Sequence, residues 1–577
     1  MKNVPFFENP ITRVQFPLWR GRLILIMMLV GVCILLGRAV YLQGINREFL
    51  QEQGGKRYER TLTLPANRGK IYDRNDVVVA ASVPAKGVWV NPEQAKAASP
   101  EQIKALAELL EIEPAVLKKR LTEEGRTFVY LRRQVPLDKA REVAMLKVPG
   151  VYQISEMRRI YPEGELLAHV IGFTDLDGNG QEGVELSFDS VLSGTPGSRQ
   201  VLRDRLGRIV EDIRDVHKPT DGSDLRLSID TRVQFLVYQA LEHAVRQNKA
   251  KSASAVVVDA RSGEILALAN YPSFDPNDRS ELHGDKIRNR ILTDTFEPGS
   301  ILKPFTMALA LEMGRINLQT RINTENGEYQ YQGHRIRDVS RSSALDPVGI
   351  LTKSSNIGMV KISEKLTAQE MWSQFTELGF GQSPSIGLPG AAPGRLRAWE
   401  RWRPIEKATM AYGYGISASL LQIARAYTAF ARNGDMVNLT LIKREGSPAT
   451  VPVFPAELSR QMRTMLESAA GPDGAKLASV QGYRVAGKSG TARKIVNGGY
   501  SQSQYRSSFV GFAPASDPRI VVAVTVDEPN AGHYYGGRVA APVFAEITGR
   551  TLRMLGVKPD APFESEVLAS NAVEVLR

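Results

Sequence analysis

Apolar and polar positions alternate differently in three successive parts of the chain. Leu23 to Gly37 is uninterrupted apolar or small sequence. Alone it is short for a hydrocarbon layer about 30 Å thick, but carried through Arg38 to Leu42 it suffices if the Arg38 guanidinium snorkels to the interface. Residues 23–42 are therefore expected to form a transmembrane helix behind an N-terminal tail of residues 1–22. No small-x-small cleavage site follows, which favours an uncleaved anchor over a signal peptide. Arg47, Lys56, Arg57 and Arg60 nearly balance Lys2, Arg13, Arg20 and Arg22, so flanking charge leaves the orientation open.

Beyond the anchor, residues 43 to about 60 are charged and can leave the membrane as a helix. Short amphipathic helices among short strands then run to about residue 220. Ser99-Pro100-Glu101-Gln102 reads as N-cap, proline at N1 and capping-box glutamine, with Ile103, Leu106, Leu109 and Leu110 on one helical face. From about Asp221 the pattern changes. Ala255 to Asp259 and Gly263 to Leu268 predict two strands joined by a turn, and Ile520 to Val526 is a β-branched run suited to a buried central strand. Helical stretches lie between, over Phe305–Met313 and Leu420–Phe430. The expected fold is α+β. A non-catalytic pedestal spans 43–220, a domain with an antiparallel sheet closed by its early and late segments spans 221–560, and a tail covers 561–577.

At 577 residues the chain has room for two or three full-sized cores, and 43% apolar with 24% charged residues is ordinary for a globular protein. A net charge of +12 raises the question of a nucleic-acid partner. No basic block interleaved with aromatics is present, so none is expected. A mildly basic surface also suits lipid headgroups or an acidic wall polymer. The single cysteine, Cys33, lies in the apolar run, and the six histidines show no ligand spacing. Neither metal nor cofactor is expected. Asp175-Leu176-Asp177-Gly178-Asn179-Gly180 begins like a calcium loop, but its twelfth position is Leu186, so it reads as a tight turn.

The candidate chemistry starts at Glu297-Pro298-Gly299-Ser300-Ile301-Leu302-Lys303-Pro304. Pro304 is tolerated only in a first helical turn, which places a helix start near Ser300 and sets its hydroxyl and the Lys303 amine on one face. A serine one turn before a lysine is a candidate nucleophile beside its own base. Ser354-Ser355-Asn356 adds a hydroxyl and an amide, and Lys488-Ser489-Gly490-Thr491 adds a second amine, two hydroxyls and a glycine that permits close backbone approach.

The order Ser-x-x-Lys, Ser-x-Asn, Lys-Ser/Thr-Gly resembles the signature of penicillin-binding proteins and serine β-lactamases. Arg68 to Asn75, Arg159-Ile160-Tyr161-Pro162, Ala168-His169, Gly172-Phe173 and Gly183-Val184-Glu185 are similar to motifs of the class B penicillin-binding proteins. Gly413-Tyr414-Gly415, Tyr534-Tyr535-Gly536-Gly537 and Ala541 to Phe544 resemble the septal branch, the division-specific peptidoglycan D,D-transpeptidases. The chain departs from the pattern in Ser489, where threonine is commoner, and in Asn75, where glycine is usual.

The resemblance implies a penicilloyl-serine transferase domain whose Ser300 Oγ attacks the D-Ala-D-Ala bond of a peptidoglycan stem peptide. The resulting acyl-enzyme passes to an amine of a neighbouring strand. Burial and the charge of Lys488 would depress the pKa of Lys303, the proposed acylation base, although the base in this superfamily is disputed. Ser354 would relay the proton and Asn356 would hold the substrate backbone. Lys488, with Ser489 and Thr491 beside Gly490, would bind the donor carboxylate. The backbone N–H groups of Ser300 and Thr491 would form the oxyanion hole. The same resemblance implies covalent inhibition by β-lactams, an inner-membrane location with the catalytic part in the periplasm, and partners in the division complex including a septal glycosyltransferase. Hydrolytic carboxypeptidase activity stays open.

Two rival readings stand beside it. Gly482 to Ser489 matches the phosphate-binding P-loop pattern, with Val521 to Val526 and Asp527-Glu528 imitating its downstream acidic strand. A P-loop needs a helix directly after it, whereas Gly490 follows at once and Asn497-Gly498-Gly499 ends any helix within two turns. The other rival is a non-catalytic division scaffold or β-lactam sensor.

Overall fold

The computed structural model describes residues 17–49, 59–203 and 209–562. Residues 1–16 of the expected N-terminal tail, 50–58 of the charged stretch and 563–577 of the expected C-terminal tail lie outside them. The apolar run forms helix α1 (Leu18–Val40), which continues as a π-helical turn over Tyr41–Ile45. Among the described residues this 28-residue element is the one helix long and apolar enough to cross a membrane. It starts before the expected Leu23 because Trp19 to Arg22 continue α geometry without being apolar throughout. The guanidiniums of Arg20 and Arg38 sit over the rings of Trp19 and Tyr41, an arrangement suited to interfacial residues.

The chain divides into two compact units. The first takes residues up to 66 together with 195–221, and holds a three-stranded antiparallel sheet of Glu59–Leu64, Gly197–Arg203 and Ile209–His217. The second takes 67–194 and 222 onward.

In the early part of the second unit, strand Val78–Val90 pairs antiparallel with Val129–Pro136 and Val151–Ile160. The helix Pro100–Leu110 begins with both capping-box bonds: Gln102 N donates to Ser99 Oγ (3.2 Å), and Ser99 N donates to Gln102 Oε1 (3.1 Å). It buries Leu106, Ala107 and Leu110 in a small core with Val88, Val90 and Leu131. The Asp175 segment is the turn its sequence suggests, since Asp175 Oδ1 accepts from the backbone N–H groups of Asp177 and Asn179. Three motif residues far apart in sequence meet here. The buried Glu185 carboxylate pairs with Arg68 Nε (2.6 Å) and Arg159 Nε (2.7 Å), each oxygen taking one guanidinium. A buried carboxylate needs such partners to stay charged.

The later part is built on one sheet. Strands β1 (Ser252–Asp259), β2 (Ile265–Tyr271), β3 (Ala486–Val496), β4 (Gly499–Ala513) and β5 (Ile520–Asp527) run in the order β2-β1-β5-β4-β3, all antiparallel. Early and late segments thus close one sheet, as the hydrophobic pattern implies. Its central strand β5 is buried at every position. Alternate side chains enter different cores: Val256, Val258, Val521 and Ala523 face the large helical lobe, while Ala255, Val257, Val522 and Val524 face helices α2 (Thr231–Asn248) and α6 (Gly536–Met554). Burial on both faces explains why these strands read as continuous apolar runs rather than alternations. The helical lobe includes α3 (Lys303–Glu312), α4 (Asn356–Glu364) and α5 (Leu420–Ala431). Strand β3 is an edge of the sheet, so one row of its backbone groups has no strand partner.

The P-loop reading fails on this topology. Lys488 and Ser489 lie inside β3, paired with Val510 and Phe509, and no helix follows them.

Candidate active site

The local conformation at Ser300 differs from the expectation. Gly299–Leu302 is a 3₁₀ turn, and the α-helix proper begins at Lys303 with Pro304 in its first turn. Gly299 sits at φ +59°, and that left-handed residue feeds the turn. The turn is clamped from two sides. Gly299 N donates to Gly413 O (3.0 Å), and the buried Tyr427 hydroxyl donates to Ile301 O (2.7 Å). A Cβ on Gly413 would come within 2.1 Å of Gly299 O, so the Gly413-Tyr414-Gly415 segment needs its first glycine for this approach.

Lys303 is fully buried, and its amine is held by the second motif. Nζ lies 2.6 Å from Ser354 O, 2.8 Å from Asn356 Oδ1 and 3.2 Å from Ser354 Oγ. Among the described residues no hydrogen bond joins Lys303 Nζ to Ser300 Oγ. The half-buried Ser300 hydroxyl has no hydrogen-bond partner among the described residues. Catalytic hydrogen bonds often tighten only when substrate binds. The orientation of the Asn356 amide is settled by its nitrogen, which donates to Arg337 O (3.0 Å), so Oδ1 must face the lysine. Ser354 O and Asn356 Oδ1 can only accept. A neutral amine would give both its hydrogens to them and leave its lone pair for a hydroxyl.

Burial pushes the Lys303 amine well below the usual lysine range, and the nearby Lys488 charge lowers it further, while Asp338 acts against both. Lys488 is also buried, and loss of solvation takes it down to about 8. Among the described residues its Nζ reaches only the neighbouring Ser489 carbonyl, at 3.1 Å.

Strand β3 comes against the serine turn through Gly490. A Cβ there would lie 2.9 Å from Ile301 Cγ2 and 3.1 Å from Pro298 O. One residue on, half-buried Thr491 accepts from Gly536 N through Oγ1 (2.9 Å), tying β3 to the start of α6. Gly536 itself has no room for a side chain, since a Cβ would come within 2.1 Å of Gly490 O. Half-buried Ser489 flanks Gly537. The three sequence motifs are therefore in one place. Lys303 joins the first to the second by hydrogen bonds, and Gly490 packs the third onto the first.

Two residues that sequence reading passed over complete the geometry. Asp338 Oδ1 accepts from Asn356 N (2.6 Å) and Ile357 N (3.0 Å), and Oδ2 accepts from Ser355 Oγ. A carboxylate at the N-terminus of α4 is favoured by the helix dipole and fixes where Asn356 points. Nothing in its sequence position, eighteen residues before Asn356, signals that role. Ser354 just before α4 takes a left-handed φ of +56°, a conformation costly for serine and common where a site is held under strain. Glu297 is the second. Its Oε1 accepts from Gly415 N (2.7 Å) and the Tyr500 hydroxyl (3.1 Å), and burial raises its pKa. It braces the same Gly413–Gly415 segment that clamps the nucleophile turn, and its place three residues before Ser300 was the available clue.

Comparison with known proteins follows the same lines. A family model described as the penicillin-binding protein transpeptidase domain matches residues 253–549, and one described as the penicillin-binding protein dimerisation domain matches 63–227. The chain is 43% identical over 548 residues to the probable peptidoglycan D,D-transpeptidase PenA of Neisseria meningitidis, covering 94% of each. It is 41% identical over 554 residues to the peptidoglycan D,D-transpeptidase FtsI of Escherichia coli, covering 95% of this chain and 94% of that one. Among solved structures, penicillin-binding protein 3 of Mycobacterium tuberculosis in complex with aztreonam superposes with a TM-score of 0.68 at 28% identity, over 87% of this chain and 99% of that one.

Proposed function

The chain belongs to the penicillin-binding protein transpeptidases, and on that footing we propose that Ser300 is the nucleophile of its acyl-transfer reaction. It is a serine-type peptidoglycan D,D-transpeptidase of the cell-division kind, open to covalent inhibition by β-lactams. Ser300 Oγ attacks the carbonyl of the D-Ala-D-Ala bond. Its proton goes to the neutral Lys303 amine, the ester forms, and the terminal D-Ala leaves with a proton returned through Ser354. An amine of a neighbouring strand then attacks the ester and restores Ser300. Asn356 holds the donor backbone, and Lys488 with Ser489 and Thr491 takes its carboxylate. The N–H groups of Ser300 and Thr491 receive the developing oxyanion, where each donor is worth about 10²–10³ in rate.

One observation carries the assignment of roles: a buried lysine with a strongly depressed pKa bridges the second motif, while Gly490 brings the third against the serine turn. A nucleotide hydrolase would leave that arrangement without purpose. A purely scaffolding role would not require a desolvated amine held by three polar atoms. The reading is completed by a pedestal over 43–220 and a catalytic part over 221–560, both on the periplasmic side of the inner membrane, with α1 as the single-pass anchor. Division-complex membrane proteins, a septal glycosyltransferase among them, are the proposed partners.

The reading is tested by mass spectrometry of the intact protein after penicillin treatment, with the adduct mapped by peptide. The expected result is one penicilloyl group on the peptide containing Ser300. An adduct on any other residue removes the assignment.

Asp338 supplies a further test. Asp338→Asn removes the negative charge that raises the Lys303 pKa, so the neutral amine persists to lower pH. The acid limb of the acylation rate should shift to lower pH than in the wild type, and stability should fall by about 1–2 kcal/mol from the weakened cap of α4. An unmoved acid limb, read by stopped-flow acylation across pH, would separate Asp338 from the base.

A further inference from the structure

A cavity of about 470 Å³ lies between the strands Val129–Pro136 and Val151–Ile160 and the 276–280 loop that follows β2. It shares no residue with the constellation around Ser300. Six cations line it, Arg132, Arg133, Lys139, Arg158, Arg159 and Arg279, against two carboxylates, Glu111 and Asp278.

Most of that charge is answered locally. Arg132 and Lys139 share Glu111, and Arg133 pairs with Glu156 and Asp177. Arg159 gives Nε to Glu185 and Nη1 to Ser82. Asp278 is taken by the backbone and hydroxyl of Ser280.

Three donors are left over. Half-buried Arg158 has no hydrogen bond or ion pair among the described residues. Arg279 reaches only neutral oxygens at long range, those of Thr174 (3.3 Å), Asp175 (3.2 Å) and the Gln134 side chain (3.3 Å). Partial burial holds its guanidinium below the usual arginine range; Tyr161 and Asp175 act against that, and Arg158 and Arg133 add to it. The third is Nη2 of Arg159, a buried atom with no partner on a side chain that is only 3% exposed. Of the three, only Arg159 Nη2 is desolvated, whereas Arg158 is half-buried and Arg279 exposed, and neither of those two forms an ion pair among the described residues. Two guanidiniums without an ion-pair partner among the described residues thus face a single cavity whose lining cations outnumber its carboxylates six to two.

We propose that this cavity binds an oxyanion carrying about two negative charges, either a phosphate or a pair of carboxylates. Arg158 and Arg279 contact it through their guanidiniums. Guanidinium forks match the oxygens of both groups. Arg158 lies on the Val151–Ile160 strand and Arg279 on the loop after β2, so the anion ties those two segments of the unit together. The inference does not depend on the roles assigned around Ser300.

The test uses the full chain in detergent, first acylated with penicillin so that Lys488 is occupied. Calorimetric titrations with sodium phosphate and with sodium malonate are run against sodium chloride at matched ionic strength. Binding of either oxyanion above the chloride background is expected, and the doubly substituted Arg158→Ala, Arg279→Ala chain should bind about tenfold more weakly for each arginine lost. Phosphate alone binding identifies a phosphate ligand, malonate alone a carboxylate ligand, and both the shared chemistry. Neither binding above chloride overturns the proposal, as does binding that survives in the double variant. If the alanine pair fails to give a cooperative melt, Arg158→Lys with Arg279→Lys is read instead. It keeps the charge but loses the fork, and unchanged affinity there overturns the bidentate geometry.

Discussion

Replacing Ser300 with alanine abolishes covalent labelling by a fluorescent penicillin and leaves the protein as stable as before. The first half follows from the chemistry. No ester can form without Oγ, and the remaining pocket can bind the drug only reversibly. The second half follows from the structure, because the Ser300 hydroxyl is half-buried and makes no hydrogen bond whose loss would cost stability. A substitution of that kind normally falls within about 0.5 kcal/mol. The pair of measurements is labelling on a gel and a thermal melt of the same sample. Labelling that persists at the wild-type rate places the nucleophile elsewhere, whatever the melt shows.

Lys303→Ala should slow acylation by about 10²–10⁴, the usual worth of a positioned proton acceptor. Stability cannot diagnose this variant, since it removes a desolvated amine and at the same time leaves Ser354 O and Asn356 Oδ1 without their donor. The pH profile can. Acylation requires the neutral amine, so the wild-type rate rises as pH climbs through the Lys303 pKa and then levels off. Because burial and Lys488 hold that pKa well below the usual lysine range, the plateau extends far to the acid side of where an ordinary lysine would allow it. In Lys303→Ala the acid limb should vanish along with most of the rate. A slower enzyme with an unchanged acid limb assigns the lysine a structural role and the base to another group.

Several features were legible because short-range rules govern them. The capping box at Ser99 and Gln102 depends on residues three apart, and it forms as read. The continuous apolar runs at Val256 and Val521 mark strands buried on both faces, which the sheet order bears out. Gly490 was read as a point of close backbone approach, and the space around it holds no Cβ. The depressed pKa of Lys303 was also foreseeable, once burial and a second lysine were both in view. Less could be foreseen about direction. The acceptors of the Lys303 amine, Ser354 O and Asn356 Oδ1, lie on a turn more than fifty residues away in sequence, so spacing could not name them.

Asp338, Glu297 and the arginine cavity mark what no local rule reaches. Asp338 draws its partners from the start of α4 and Glu297 from Gly415 and Tyr500, while Arg158 and Arg279 reach one cavity from segments that meet only in the folded chain. The sequence alone settled the family, the three reactive motifs and the strands and helices that carry them, because side-chain chemistry and hydrophobic period act over a few residues. Tertiary structure alone decided which acceptors hold the lysine, what orients the asparagine and which charges go unanswered, because hydrogen bonds and Coulomb forces depend on distance through space rather than along the chain.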